Sequence, residues 1–97
     1  MEIRTKLSGT KLIVYPLGKL NTSTAPLLND ELTKQIQRGV SCIEIDMENL
    51  FYISSAGIRV LLSAHKALNG NLMISHANEV ITDVFENTGL TDMLYIV

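Results

Sequence analysis

Two adjacent serines, Ser54 and Ser55, followed by Ala56 and Gly57, are the residues of this 97-residue chain whose type and spacing best suit chemistry. A strand-like run, Cys42-Ile43-Glu44-Ile45-Asp46, lies just ahead of them, and a helical pattern begins within Tyr52–Leu62. The serines therefore fall where a loop becomes a helix N-terminus. The first N–H groups of a helix lack intrahelical partners and carry a positive partial charge, so a phosphate is tolerated there. A serine at that place has two readings. It is a cap, worth about 1 kcal/mol over Ala, or it is a phosphate acceptor. The readings are compatible if Ser54 caps and Ser55 is the first helical residue. A phosphate on Ser55 would add roughly −1.5 to −2 charges at neutral pH. The helix end would favour it by about 0.3–1 kcal/mol. A partner pressed against it without a cation would meet a buried charge costing several kcal/mol. About 1.4 kcal/mol is a factor of ten in affinity, so binding would be lost while the fold persists. Ala56 and Gly57 have no long side chain and leave the hydroxyl approachable.

Other chemistry has little support. Ile53-Ser54-Ser55-Ala56-Gly57 is near a nucleophile elbow, but Ile53 replaces the first glycine of that motif. No Asp or Glu lies between Ser55 and His76, so the hydrolase order Ser, acid, His cannot be completed. There is no Walker-type loop and no G-x-G-x-x-G. His65, His76 and Cys42 are far apart in sequence and make a poor metal set. We expect no catalytic residue, no metal and no cofactor, with His65 packed along a helix and His76 at a strand end.

Bulk properties exclude further classes. The formal charge is −2 and the eight basic residues are scattered, unlike a surface built to hold nucleic-acid phosphates. No apolar run approaches a membrane span, and Glu2, Arg4 and Lys6 interrupt any signal-peptide pattern. The single Cys42 permits no internal disulfide and reads as a buried, inert thiol. A cytoplasmic setting is expected, with no direct membrane insertion.

The elements that must position the serines follow from periodicity. Ile3, Thr5 and Leu7 alternate with polar residues, which predicts a half-buried strand. Leu12–Tyr15 predicts a second strand, paired back as a hairpin. Pro16 must end that strand, bulge it, or lie off the ladder. A first helix is expected from Thr22 or Ser23, with Pro26 in its first turn, an apolar stripe Ala25, Leu28, Leu32 and Ile36, and Gly39 closing it. Val40–Asp46 is the expected central strand. The second helix should bury Ile58, Leu61, Leu62, His65 and Leu68, expose Arg59, Ser63 and Lys66, and present a small-residue flank of Val60, Ala64 and Ala67. Gly70 closes it. Leu72–Ile74 predicts a strand. Asn78 caps a third helix with Ile81, Val84 and Phe85 inward, and Gly89-Leu90 ends it. Met93–Val97 is a final helical turn or strand. The order β-β-α-β-α-β-α predicts an α/β fold: one domain over 1–97, with a mixed and largely parallel sheet.

The segment Met47–Ile58 resembles the signature of STAS domains, the family of bacterial anti-sigma-factor antagonists. Ser55 falls at that family's phosphorylated serine, Ala56 at its small residue, Gly57 at its glycine and Ile58 at its aliphatic. Ser54 stands where the family usually carries Asp. Gly18–Leu28 is similar to the family's earlier segment, with Asn21 where Asp is common. The resemblance implies helices mainly on one face of the sheet. It also implies an antagonist that is not itself an enzyme. Its partner would be an anti-sigma factor that is also a serine kinase, with a separate phosphatase resetting the switch. Ser55 would be the modified residue, and Asn21, Thr22, Ser54, Ala56, Gly57, Arg59 and Ser63 would form the partner surface. The rival reading is an unphosphorylated STAS adaptor subunit of a membrane transport complex.

Overall fold

The computed structural model describes residues 1–97. In chain order the strands and helices are β1 (Glu2–Ser8), β2 (Lys11–Leu20), α1 (Ala25–Gln37), β3 (Ile43–Asp46), β4 (Leu50–Ile53), α2 (Ser55–Ala67), β5 (Leu72–Ser75), α3 (Glu79–Asn87) and β6 (Tyr95–Ile96), with a 3₁₀ turn at Leu90–Asp92 before β6. The six strands form one mixed sheet in the order β1-β2-β3-β5-β6, with β4 added beside β2. The β1–β2 hairpin is antiparallel, and β2–β3, β2–β4, β3–β5 and β5–β6 are parallel. Parallel neighbours need a crossover, and α1, α2 and α3 provide them.

One sheet face carries the core. Leu12 and Val14 stand level with Ile43 and Ile45, which stand level with Leu72 and Ile74. All six are buried. On the other face Ile13, Glu44 and Met73 form the matching row and remain half-exposed. Helices thus cover one face. A register slip of one residue would turn the six core side chains, at about 1.5–3 kcal/mol of burial each, toward the open face. Ala25, Leu28 and Leu32 of α1 and Ile81 and Phe85 of α3 join the core, as their spacing predicts, while Ile36 and Val84 lie at its margin.

Four expectations are corrected. Leu50–Ile53 is a strand, not part of a loop, so two strands separate α1 from α2. β1 is an edge strand lying beyond the helices: Ile3 is half-buried, but Thr5 and Leu7 are exposed. β2 does not end at Pro16. It runs to Leu20 and changes partner, pairing β3 through Leu12–Val14 and β4 through Gly18–Leu20. Pro16 lies between those two pairings, where its missing N–H is tolerated, and Gly18, at φ +105°, carries the register shift. Finally, α2 is rotated. Its buried residues are Gly57, Val60, Leu61 and Ala64, so Val60 and Ala64 of the small flank face inward, Ala67 is exposed, and Ile58, Leu62 and His65 are half-buried. Small side chains there let α1 and α2 pack closely. No helix is long and apolar enough to cross a membrane.

Candidate functional site

The start of α2 is fixed by the ends of two strands. Leu20 and Ile53 are the last paired residues of β2 and β4. One residue on, the Ser54 N–H donates to the Leu20 carbonyl at 2.8 Å. That bond holds Ser54 in extended backbone, at φ −100° and ψ 174°, the usual conformation of an N-cap. Its carbonyl accepts the first helical bond, from Ile58 N–H at 3.0 Å. Its hydroxyl accepts from Gly57 N–H at 3.4 Å, a long capping bond. Ser54 is therefore the cap and Ser55 the first helical residue, as the sequence predicts. Ser55 is exposed, and the first turn of α2 contains no acidic side chain.

Gly57 serves this site from below. It is buried, and a Cβ built on it would stand 2.7 Å from Leu20 Cγ, 2.8 Å from Leu20 Cδ2 and 3.0 Å from Ile53 Cγ1. The glycine lets the first turn of α2 seat on the ends of β2 and β4. It does not line the surface, which corrects the expectation that it opens the hydroxyl to a partner. Ala56 is half-buried, and Arg59 and Ser63 are exposed on the outer face of the helix.

Asn21 follows Leu20, so the same backbone bond brings the entry of α1 beside Ser54. The Asn21 Oδ1 accepts from Ser23 N–H at 3.0 Å and Thr24 N–H at 3.1 Å, and its carbonyl accepts from Ala25 N–H at 2.8 Å. Thr24 Oγ1 accepts from Asn21 N–H at 2.8 Å and donates to the Lys19 carbonyl at 2.6 Å. An Asx turn therefore closes 21–24 and α1 begins at Ala25, later than Thr22 or Ser23. Asn21 is occupied with its own turn. Thr22 and Ser23 are exposed.

The sequence reading missed several neighbours. Phe51 and Tyr52 are exposed at 65% and 46%, large apolar area close to the serines. Both stand out because β4 is a marginal strand with neither face fully covered. Asn78 caps α3 through Oδ1, accepting from Ile81 N–H at 2.9 Å, and its Nδ2 donates to the Leu50 carbonyl at 3.1 Å, which ties α3 to β4. On the open sheet face Lys11 Nζ meets Glu44 Oε1 at 2.7 Å, and Ser75 Oγ donates to Glu44 Oε2 at 2.7 Å. The Lys11 bond, then the Ser75 bond, hold the Glu44 carboxyl below the ordinary glutamate range against the opposing effect of burial. The Glu44 bond raises Lys11. None of these bonds involves Ser54 or Ser55. Finally, Asp46, Glu48 and His76, separated in sequence, come together where β3 and β5 end.

A family model described as STAS domain matches residues 2–96. An anti-sigma-B factor antagonist of Staphylococcus aureus is 35% identical over 82 residues, covering 81% of this chain and 76% of its own. Among solved structures, an anti-sigma factor antagonist from Mycobacterium paratuberculosis superposes with a TM-score of 0.89 at 15% identity, over 98% of this chain and 83% of that one. SpoIIAA, an anti-sigma factor antagonist solved in its unphosphorylated form, gives a TM-score of 0.84 at 16% identity, over 99% of this chain and 88% of its own. The Bacillus SpoIIAA structure in the phosphorylated form gives 0.75, over 99% and 91%.

Proposed function

Because the chain belongs to the STAS domain family, we propose that it is an anti-sigma-factor antagonist, switched off by phosphorylation of Ser55. One observation carries the choice of residue. Ser54 performs the capping, which leaves the exposed Ser55 free of that duty at the positive end of α2. A phosphate on Ser55 would sit beside backbone donors with no acidic side chain in the first turn to repel it. The fold would accept the dianion, and a partner surface fitted to a neutral hydroxyl would not.

The partner in this reading is an anti-sigma factor with serine-kinase activity, and a phosphatase resets the switch. The chain is a binding protein and a substrate, not an enzyme. Its contact surface comprises Thr22, Ser54, Ser55, Ala56, Arg59 and Ser63, with Asn21 shaping the adjoining turn. Phe51 and Tyr52 add exposed aromatic area of the kind that anchors interfaces. Support comes from the antagonists above, one of which is known in both unphosphorylated and phosphorylated forms.

The test is phosphopeptide mapping after incubation with the candidate anti-sigma kinase and ATP. We expect one phosphate, on Ser55, and loss of capture by that kinase once it is added. Phosphate on Ser54 or Thr22 with none on Ser55 would refute the assignment. Undiminished capture of the Ser55 phosphoprotein would refute the switch.

A further inference from the structure

We propose that Asp46, Glu48 and His76 form a binding site for a divalent transition-metal ion of the Zn²⁺ kind. The inference does not rest on the antagonist reading. Asp46 is the last residue of β3, and His76 follows the last residue of β5, whose Ser75 is level with Asp46. The two strands run parallel, so both side chains emerge at the carboxyl end of the sheet, the end where α/β folds bind ligands. Glu48 comes from the turn after β3. One ligand atom from each residue lies within 4.8 Å of the others.

The geometry fits a shared ion. His76 Nδ1 stands 3.1 Å from Asp46 Oδ1. Ligand atoms about 2.1 Å from an ion are about 3.0 Å apart at an octahedral edge and about 3.4 Å apart at a tetrahedral one. His76 adopts φ +55°, the left-handed region, where non-glycine residues are uncommon.

The charge balance supplies the independent argument. The Asp46 side chain is only 10% exposed. Its Oδ1 accepts from Glu48 N–H at 3.0 Å and faces His76 Nδ1, while Oδ2 has no protein donor and reaches solvent. None of the chain's ion pairs brings a Lys or Arg to Asp46 or Glu48: Arg4 pairs with Glu2, Lys11 with Glu44 and Lys34 with Glu31. His76 is the one potential cation beside this carboxylate pair, and an ion held by all three residues would balance both carboxylates. One imidazole and two carboxylates favour a borderline ion such as Zn²⁺ over Mg²⁺ or Ca²⁺, which prefer all-oxygen sites. Three protein ligands, two of them exposed, leave the remaining positions to water.

The test is calorimetric titration of the full, EDTA-treated and desalted chain with zinc chloride, with magnesium chloride as the contrast. We expect one Zn²⁺ per chain and no measurable Mg²⁺ binding. His76→Asn keeps a residue that accepts the left-handed backbone, and Asp46→Asn keeps the acceptor for Glu48 N–H. Each should weaken Zn²⁺ binding at least tenfold, roughly the lower bound for losing even a supporting group. Nitrogen NMR of the wild-type imidazoles gives a readout independent of variant folding: zinc should shift His76 and leave His65 unchanged. Absence of zinc binding, affinity unchanged in both variants, or a shift at His65 instead of His76 would overturn the proposal.

Discussion

Gly57→Ala is a single-methyl change whose outcome depends on how tightly the first turn of α2 is seated. The new Cβ would stand 2.7 Å from Leu20 Cγ, well inside the 3.4 Å at which ordinary contact begins. Leu20 is fully buried, and Ile53 closes the other side at 3.0 Å, so neither has solvent to retreat into. Overpacking of this kind costs about 1–3 kcal/mol. Against it stands the gain of Ala over Gly within a helix, about 0.5–1 kcal/mol. Gly57 is the third helical residue, where that gain is at its low end. The net expectation is a loss of about 1–2 kcal/mol. For a chain of this size each kcal/mol lowers Tm by about 4–8 °C. Urea unfolding followed by circular dichroism measures it. Leu20→Ala then provides the control. Alone it should cost about 2–5 kcal/mol, but it removes both Leu20 atoms that the new methyl meets. The double variant should therefore be more stable than the two single losses predict, by more than about 0.5 kcal/mol. A Gly57→Ala chain as stable as the wild type, or additivity with Leu20→Ala, would refute the seating argument.

Further outcomes are expected at three positions. Ser54→Ala should lose no more than about 1 kcal/mol, since its capping bond is long; Ser54→Asp should keep the cap and be phosphorylated by the cognate kinase faster than the wild type, with equal or slower rates on radiolabelled ATP counting against assistance by the acid. Glu44 has a depressed folded pKa, so its contribution is full above the ordinary value of 4.5 and is lost as pH falls through the lower folded value; the stability gap between wild type and Glu44→Gln should narrow below about pH 4.5 in urea titrations. Asn78→Asp keeps an acceptor for Ile81 N–H but cannot donate to the Leu50 carbonyl, so it should cost about 1 kcal/mol, and Asn78→Ala should cost more.

Much of this arrangement is legible in the sequence where one local rule acts alone. The apolar strand run at Leu12–Tyr15, the stripe Ala25, Leu28 and Leu32, the Asn78 cap and the Gly89 stop each follow from a local pattern or a backbone preference. The Ser54 cap and Ser55 start also follow, because a hydroxyl residue before a helical run has few other uses. What eludes the sequence depends on neighbours distant along the chain. Leu50–Ile53 buries its two ends and exposes Phe51 and Tyr52, so it shows no alternation. The face of α2 turns on tertiary neighbours: Val60 and Ala64 are buried and Ile58 and Leu62 only half-buried, whereas hydrophobicity alone ranks Ile58 and Leu62 above them. Ile3, Thr5 and Leu7 have the right period, but burial depends on how far the helices extend across the sheet. Asp46, Glu48 and His76 meet only through the β3–β5 register, so spacing gave no sign of the cluster.

The 2.8 Å bond from Ser54 N–H to the Leu20 carbonyl has a consequence in time as well as in space. It is the backbone link between the turn that opens α1 and the turn that opens α2. Amide hydrogen exchange at Ser54 therefore reports a single opening event, the lifting of α2 from the end of β2. A slow Ser54 amide means that both turns move as one body. An amide exchanging as fast as that of the exposed Ser55 in the first turn of α2 would mean that the serine pair samples detached conformations long before the sheet unfolds.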